Sequence, residues 1–260
     1  MDSRDGFNPV DQAEEKARRA VGLYNDGEFS ESLKEIEFSI EICPTNSSWH
    51  FNRALILDSL DRYEEAIREY ETVIGLLPND LEVLNCLGVD YTRVGEYELA
   101  LSAFEAIQEL DPDFEPCYCN RIILYSEMED FNSAEGMFYL AQQIKPNCSL
   151  CFFNIGISIF FQKKYKQAIR CLLRAAEIDP ENPNINQCVA LAYWNNGDKI
   201  TAKEYFLKEL RLNPGDIGAI FDFGLLLLEL EDIESAKEKF NRIIELKPDF
   251  TSALFYLGEI

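Results

Sequence analysis

Small, bulky and aliphatic residues recur along this chain with a fixed period, and prolines mark it. Pro44, Pro78, Pro112, Pro146, Pro180, Pro214 and Pro248 stand 34 residues apart without a slip. Two residues before each proline the side chain is aliphatic (Ile42, Leu76, Leu110, Ile144, Ile178, Leu212, Leu246). Eight before it is large and apolar (Ile36, Tyr70, Phe104, Phe138, Leu172, Phe206, Phe240), and twelve before it is small (Ser32, then Ala66, Ala100, Ala134, Ala168, Ala202, Ala236). Spacings of four and six predict one helical stripe. A second stripe lies upstream. Ala20, Ala54, Gly88, Ile122, Gly156, Ala190 and Gly224 are followed three residues on by Leu23, Leu57, Tyr91, Tyr125, Ile159, Tyr193 and Leu227. Between the stripes come turn-like segments such as Gly27-Glu28-Phe29, Gly95-Glu96-Tyr97 and Gly197-Asp198-Lys199. Each period therefore predicts two short helices joined by a tight turn, with proline stopping the second.

The expected packing sets a small residue of the first helix against a small residue of the second, with bulky neighbours above and below. One hairpin cannot bury its stripe alone, so hairpins must stack. Burying each bulky column residue is worth roughly 1.5–3 kcal/mol. The pattern of a small residue, an aromatic, alanine, phenylalanine and proline at these spacings resembles the tetratricopeptide repeat. The third period is nearest to it, with Leu87, Gly88, Tyr91, Ala100, Phe104 and Pro112. The first departs most, carrying Arg19 and Ser32, as a capping repeat does.

The resemblance implies an all-α, right-handed α-solenoid of seven 34-residue helix–turn–helix repeats. Their expected limits are 13–46, 47–80, 81–114, 115–148, 149–182, 183–216 and 217–250, after an N-terminal extension, 1–12. Residues 251–260 begin a partial eighth repeat without its second helix, which reads as a fragment of something longer, such as the substrate-docking arm of an enzyme.

Charge narrows the partners. Acidic side chains outnumber basic ones 47 to 24, a net of −23, which repels phosphate backbones and argues against nucleic acid. The imbalance is uneven, since residues 1–146 hold 31 acids and 11 bases. Lys166, Arg170 and Arg174, four residues apart, share one helix face, read as a solvated outer face or a docking site for an acidic partner. The chain begins with no signal-peptide pattern, and its longest apolar stretches are too short to span a bilayer. Eight cysteines without a secretion signal point to a reducing cytoplasm.

The resemblance also implies a groove lined by the first helices. Mapped onto this chain, the groove residues are Phe51 and Leu55, Asn85 and Val89, Cys119 and Ile123. They continue with Phe153, Ile157 and Phe160, then Gln187, Leu191 and Trp194, and last Phe221, Leu225 and Leu228. An apolar strip on a charged chain marks a binding surface, and Phe and Trp are frequent anchors. Asn52, Asn120 and Asn154 occupy one column beside it, with Asn85 shifted by one; side-chain amides there imply capture of an extended peptide backbone. The column breaks at Cys86, Cys188 and Asp222. Chaperone-binding members hold a terminal carboxylate with cations, but here Phe51, Leu55, Cys86, Pro116 and Asn120 stand in those places.

Catalytic chemistry finds little footing. His50 is the single histidine and reads as a packing residue, and no glycine-rich phosphate loop is present. Cys117, Cys119, Cys148 and Cys151 lie at the starts of adjacent first helices, where thiols tend to acidify and four sulfurs would suit zinc or an iron–sulfur cluster. The CxC spacing is unlike structural zinc, so a metal or redox sensor ranks behind buried structural cysteines. No cofactor and no enzymatic activity are expected. The sequence reads as an interaction scaffold or chaperone-like adaptor whose partner is a protein or peptide with apolar anchors and some positive charge.

Overall fold

The computed structural model describes residues 8–260, so the first seven residues of the expected extension lie outside the described residues. Helix α1 (Pro9–Asn25) opens the array with Pro9 in its first turn and the Asn8 side chain accepting from the Val10 N–H. It is followed by α2 (Phe29–Ile42), α3 (Ser47–Ser59), α4 (Tyr63–Leu76), α5 (Leu81–Arg93), α6 (Tyr97–Leu110) and α7 (Glu115–Glu127). These form one compact unit ending at Met128. A second unit begins at Glu129 and holds α8 (Phe131–Ile144), α9 (Ser149–Phe161), α10 (Tyr165–Ile178), α11 (Ile185–Asn195) and α12 (Lys199–Leu212). It ends with α13 (Ile217–Glu229), α14 (Ile233–Leu246) and α15 (Thr251–Glu259). All elements among the described residues are helices.

Within each unit every helix packs on the one before and the one after, and first helices also meet across a hairpin, as in α1 with α3, α5 with α7 and α9 with α11. No helix among the described residues is long and apolar enough to cross a membrane.

The turn inside each hairpin has its own period. Gly27, Asp61, Gly95, Glu129, Lys163, Gly197 and Glu231, 34 apart, all take the left-handed conformation, with φ between 57° and 91°. Glycine suits that region and marks three of the turns in the sequence; at the other four an L side chain is held there by its surroundings. Main-chain amides at several helix starts are capped by side chains. Asp80 accepts from the Val83 N–H at 3.1 Å, Asp198 from Thr201 at 3.1 Å and Asp216 from Ala219 at 3.1 Å.

The core confirms most columns and corrects two expectations. Ala66, Ala100, Ala168, Ala202 and Ala236 are fully buried, as are Ile36, Phe104, Leu172, Phe206 and Phe240. The aliphatic column two residues before proline is not core, since Leu76, Leu110, Leu212 and Leu246 are exposed. The buried side chains instead lie five before proline, at Ser39, Val73, Ile107, Ala175, Glu209 and Ile243. A step of ten residues from the small column lands roughly 80° round the helix, whereas a step of seven returns to within roughly 20°. The second correction concerns the small residues. At Gly88 an added Cβ would sit 2.7 Å from the Phe104 ring, at Gly156 2.8 Å from Leu172, and at Gly224 2.7 Å from Phe240. Small therefore meets bulky there. Small meets small in the first hairpin, where Ser32 Oγ donates to the Ala20 carbonyl at 2.7 Å. That bond explains how serine is tolerated at full burial.

Candidate interaction surface along the first helices

The side chains expected to form the groove are, with three exceptions, half-buried: neither sealed in the core nor free. Cys119 and Asn154 are buried and Ile123 is exposed. One column is apolar in all seven periods: Val21, Leu55 and Val89 on α1, α3 and α5, Ile123 on α7, and Ile157, Leu191 and Leu225 on α9, α11 and α13. Each of the seven keeps part of its surface open to solvent. Sequence reasoning began this column at α3 and so missed Val21 and Tyr24, which line a recess of about 210 Å³ with Asn52 and Leu55. The period of 34 counted back from Leu55 was the available signal.

Polar side chains bridge successive first helices at separations of 35 residues. In the first unit Asn120 Nδ2 donates to Asn85 Oδ1 at 2.9 Å. The bond uses neither the Asn85 amide N–H groups nor the Asn120 carbonyl oxygen. Beside it, Arg93 of α5 pairs with Asp58 of α3 and, at 3.0 Å, with Asp90. Asp90 is 1% exposed, and its Oδ2 has no hydrogen-bond partner. Burial, and then the Asp58 charge, push its carboxyl up to about 7 against the pull of Arg93. In the second unit Gln187 Nε2 donates to Asp222 Oδ2 at 2.8 Å, and Trp194 Nε1 to Glu229 Oε2 at 2.9 Å. Burial raises the Asp222 carboxyl, with the Gln187 bond opposing it; the hydrogen bonds from Lys199 and Trp194 lower that of Glu229.

The aromatic candidates divide by environment. Phe221 packs against Phe240, Phe250 and Tyr256 at 5.6 to 5.9 Å between centroids, which commits it to the contact with α15. Trp194 meets Phe206 edge-on at 6.4 Å, and Phe51 meets Tyr70 at 5.9 Å. Phe153, Ile157 and Phe160 pack against the core of α10 and α11, while Phe161 beside them is 65% exposed. Leu225 and Leu228 rest on the core of α11–α14.

His50 is a structural residue. Its Nε2 faces the Pro44 carbonyl oxygen at 2.9 Å and its Nδ1 a Glu69 carboxylate oxygen at 2.6 Å, with Arg53 on the other Glu69 oxygen. The expected acidic thiols do not materialise at Cys117. It is fully buried, donates to the Phe104 carbonyl at 3.4 Å, and burial pushes it up to about 11. Within its own helix Cys119 Sγ lies 2.9 Å from Glu115 Oε1, and in the second unit Cys148 Sγ caps α9 by accepting from the Cys151 N–H at 3.3 Å. In the column beside the groove, burial raises Cys86 to about 11 and Cys188 to about 12, so these thiols are poor nucleophiles.

Stacked helical hairpins with a half-buried apolar column on their first helices define the helical-repeat class, which is typically a non-catalytic interaction scaffold. Known proteins give the family. The tetratricopeptide repeat model matches residues 50–80, 189–216 and 217–250, and a second TPR repeat model matches 159–197. The TPR repeat-containing protein YpiA of Bacillus subtilis (strain 168) is 27% identical over 198 residues, covering 75% of this chain. The chain spans 47% of that relative's length. Among solved structures, yeast Tom70 aligns with a TM-score of 0.79 at 18% identity, over 98% of this chain and 55% of that one. A tetratricopeptide repeat protein from Parabacteroides merdae ATCC 43184 aligns at 0.70 and 16%, over 95% and 98%. YrrB, a TPR protein with an unusual peptide-binding site, aligns at 0.52 and 22%, over 72% and 96%. The chain is a tetratricopeptide-repeat protein.

Proposed function

We propose that this chain is a non-catalytic, cytoplasmic adaptor that holds a peptide or helix along its first helices. The observation that carries the reading is the column from Val21 to Leu225, apolar in every period and everywhere left partly open to solvent. A core column would be sealed and a solvated one would be polar, so an apolar, half-open column on the first helices of each unit is a surface kept for a partner. The likeness to YrrB, which has a peptide-binding site, supports the same use. The partner carries apolar anchors for this column and some positive charge for the acidic first unit. The bridged Asn85–Asn120 pair offers its spare donors and acceptor to a peptide backbone. This makes the adaptor tolerant of sequence, as a chaperone is.

A photo-reactive amino acid placed at Ile157, and in a separate protein at the exposed Glu105 of α6, tests the reading in the native cytoplasm. Cross-linked partner is expected from Ile157, with a several-fold loss in a folded Phe153→Ala/Trp194→Ala background. Equal yields from both positions, or a yield that ignores the double substitution, reject the groove.

A further inference from the structure

One hairpin breaks the period. Helices α3, α5, α7, α9, α13 and α15 begin at residues 47, 81, 115, 149, 217 and 251, in steps of 34 or twice that, but α11 begins at Ile185, two residues late. Asn184 ahead of it is left-handed, with φ 73°, and its side chain caps nothing. The cap comes from α12. The fully buried Glu209 carboxylate accepts from the Asn184 N–H at 3.2 Å, the Gln187 N–H at 3.3 Å and Asn213 Nδ2 at 2.6 Å.

Beside this irregular turn lies a cleft of about 550 Å³, bounded by α10, the segment around Pro180 and α12. Its wall is apolar, from Leu173, Ala176 and Leu212. Lys208 and Arg211 stand at its rim, both exposed and neither ion-paired among the described residues. Lys208 Nζ rests 3.9 Å from the Tyr205 ring centroid. Asn186 lines the cleft at 7% exposure, and its side-chain amide has no hydrogen-bond partner among the described residues. The amide itself is not sealed off, so it remains accessible from the cleft to a ligand's main chain. The nearby acids are Glu177, which Arg174 engages at 3.0 Å, and Glu204. From the rim, exposed cations continue along α10 at Arg170 and Lys166, also without ion pairs among the described residues.

We propose that this cleft is a second docking site, on the second helices, for a short acidic peptide segment. Its carboxylates meet Lys208 and Arg211, an aliphatic side chain covers the Leu173–Leu212 wall, and a main-chain group takes the Asn186 amide. Charge complementarity selects this occupant: in a chain of net −23, cations left unpaired beside an apolar recess form a site for acids. The net charge disfavours nucleic acid, and the cationic row beyond the rim calls for an extended occupant rather than a compact one. The groove reading rests on the first helices, so the two stand or fall separately.

The test pans a displayed library of random peptides, about twelve residues long, against the full chain, a Lys208→Glu/Arg211→Glu variant and a Phe153→Ala/Trp194→Ala variant, each checked by circular dichroism. Acidic peptides with an aliphatic residue are expected on the full chain and the groove variant, and to be lost on the charge reversal. One such peptide, synthesised, is expected to bind about tenfold more weakly to the charge reversal, several-fold more weakly to Asn186→Ala, and more weakly as salt rises. Enrichment that ignores the charge reversal, enrichment of basic peptides, or none at all overturns the proposal. Concentration-dependent dimers abolished by the charge reversal would assign the cleft to a second copy, and that also overturns it.

Discussion

In α1–α7 a carboxylate enters a buried column at Asp90, where the equivalent residues include Ile56, Leu124 and Leu226; in α8–α15 one enters at Glu209, where they include Val73, Ile107 and Ile243. Both are at least 99% buried, yet their surroundings differ. Glu209 meets two main-chain N–H groups at a helix start and the Asn213 amide, so its charge is matched by donors. Asp90 meets Arg93 on one oxygen and nothing on the other, with Asp58 competing for the same guanidinium. The first intrusion resets where a helix begins, and the second stores a proton. The wider composition follows the same divide, with 28 acids and 10 bases in residues 1–128 against 19 and 14 in residues 129–260. An acid is harmless where the backbone supplies N–H groups and costly where its nearest neighbour is another acid.

The largest expected effect comes from removing the matched acid. Glu209→Ala strips two main-chain donors of their acceptor and should cost about 3 kcal/mol. Urea denaturation with amide exchange should show faster exchange in α11 and none of that change in α1–α6. A cost below about 1 kcal/mol would mean the carboxylate does not hold the helix start, and the contrast with Asp90 would collapse.

Removing the unmatched acid should do the opposite. The Asp90 carboxyl titrates at about 7 in the folded state against an ordinary value of 3.8, so between these limits the folded chain keeps a proton the unfolded chain has released. That contribution is complete below about pH 4 and disappears as pH rises through 7. Asp90→Asn, fixed in the neutral form, should be more stable than the natural chain by about 1–2 kcal/mol at pH 8 and equal to it near pH 4. Denaturation at the two pH values checks this; a difference independent of pH would place the effect in packing.

The smallest effect addresses what the units share. Lys163 holds a φ of 60° at a turn position where Gly27, Gly95 and Gly197 stand in other periods. Lys163→Gly relieves that strain and should stabilise by about 0.5–1 kcal/mol, less the entropy glycine adds to the unfolded chain. Asp61→Gly, its counterpart in the first unit, should behave alike by thermal melting; opposite signs would show that the two units build this turn differently.

Much of this was legible before any coordinates. The proline period placed the helix breaks, and the Ala and Phe columns named the core. The groove residues from Phe51 to Leu228 came from a family resemblance, and the structure leaves most of them half-buried. The sequence misled where a column looked regular but faced away, as at Leu76 and Leu110, because recurrence fixes identity at a position without fixing its angle round the helix. The pairing of Asn85 with Asn120 and the burial of Asn154 were equally invisible, since each depends on what a neighbouring helix presents.

The sequence by itself determined the all-helical hairpin array, its 34-residue step and the apolar column along the first helices, because helix periodicity and proline act locally and repeat. Only the tertiary structure decided which polar residues are matched. Whether Glu209 finds main-chain amides, Asp90 finds one guanidinium shared with Asp58, or Asn186 finds no partner is set by residues 3 to 35 positions away in the chain. Burial turns those contacts into energies through distance and desolvation, and neither quantity is written in the order of the residues.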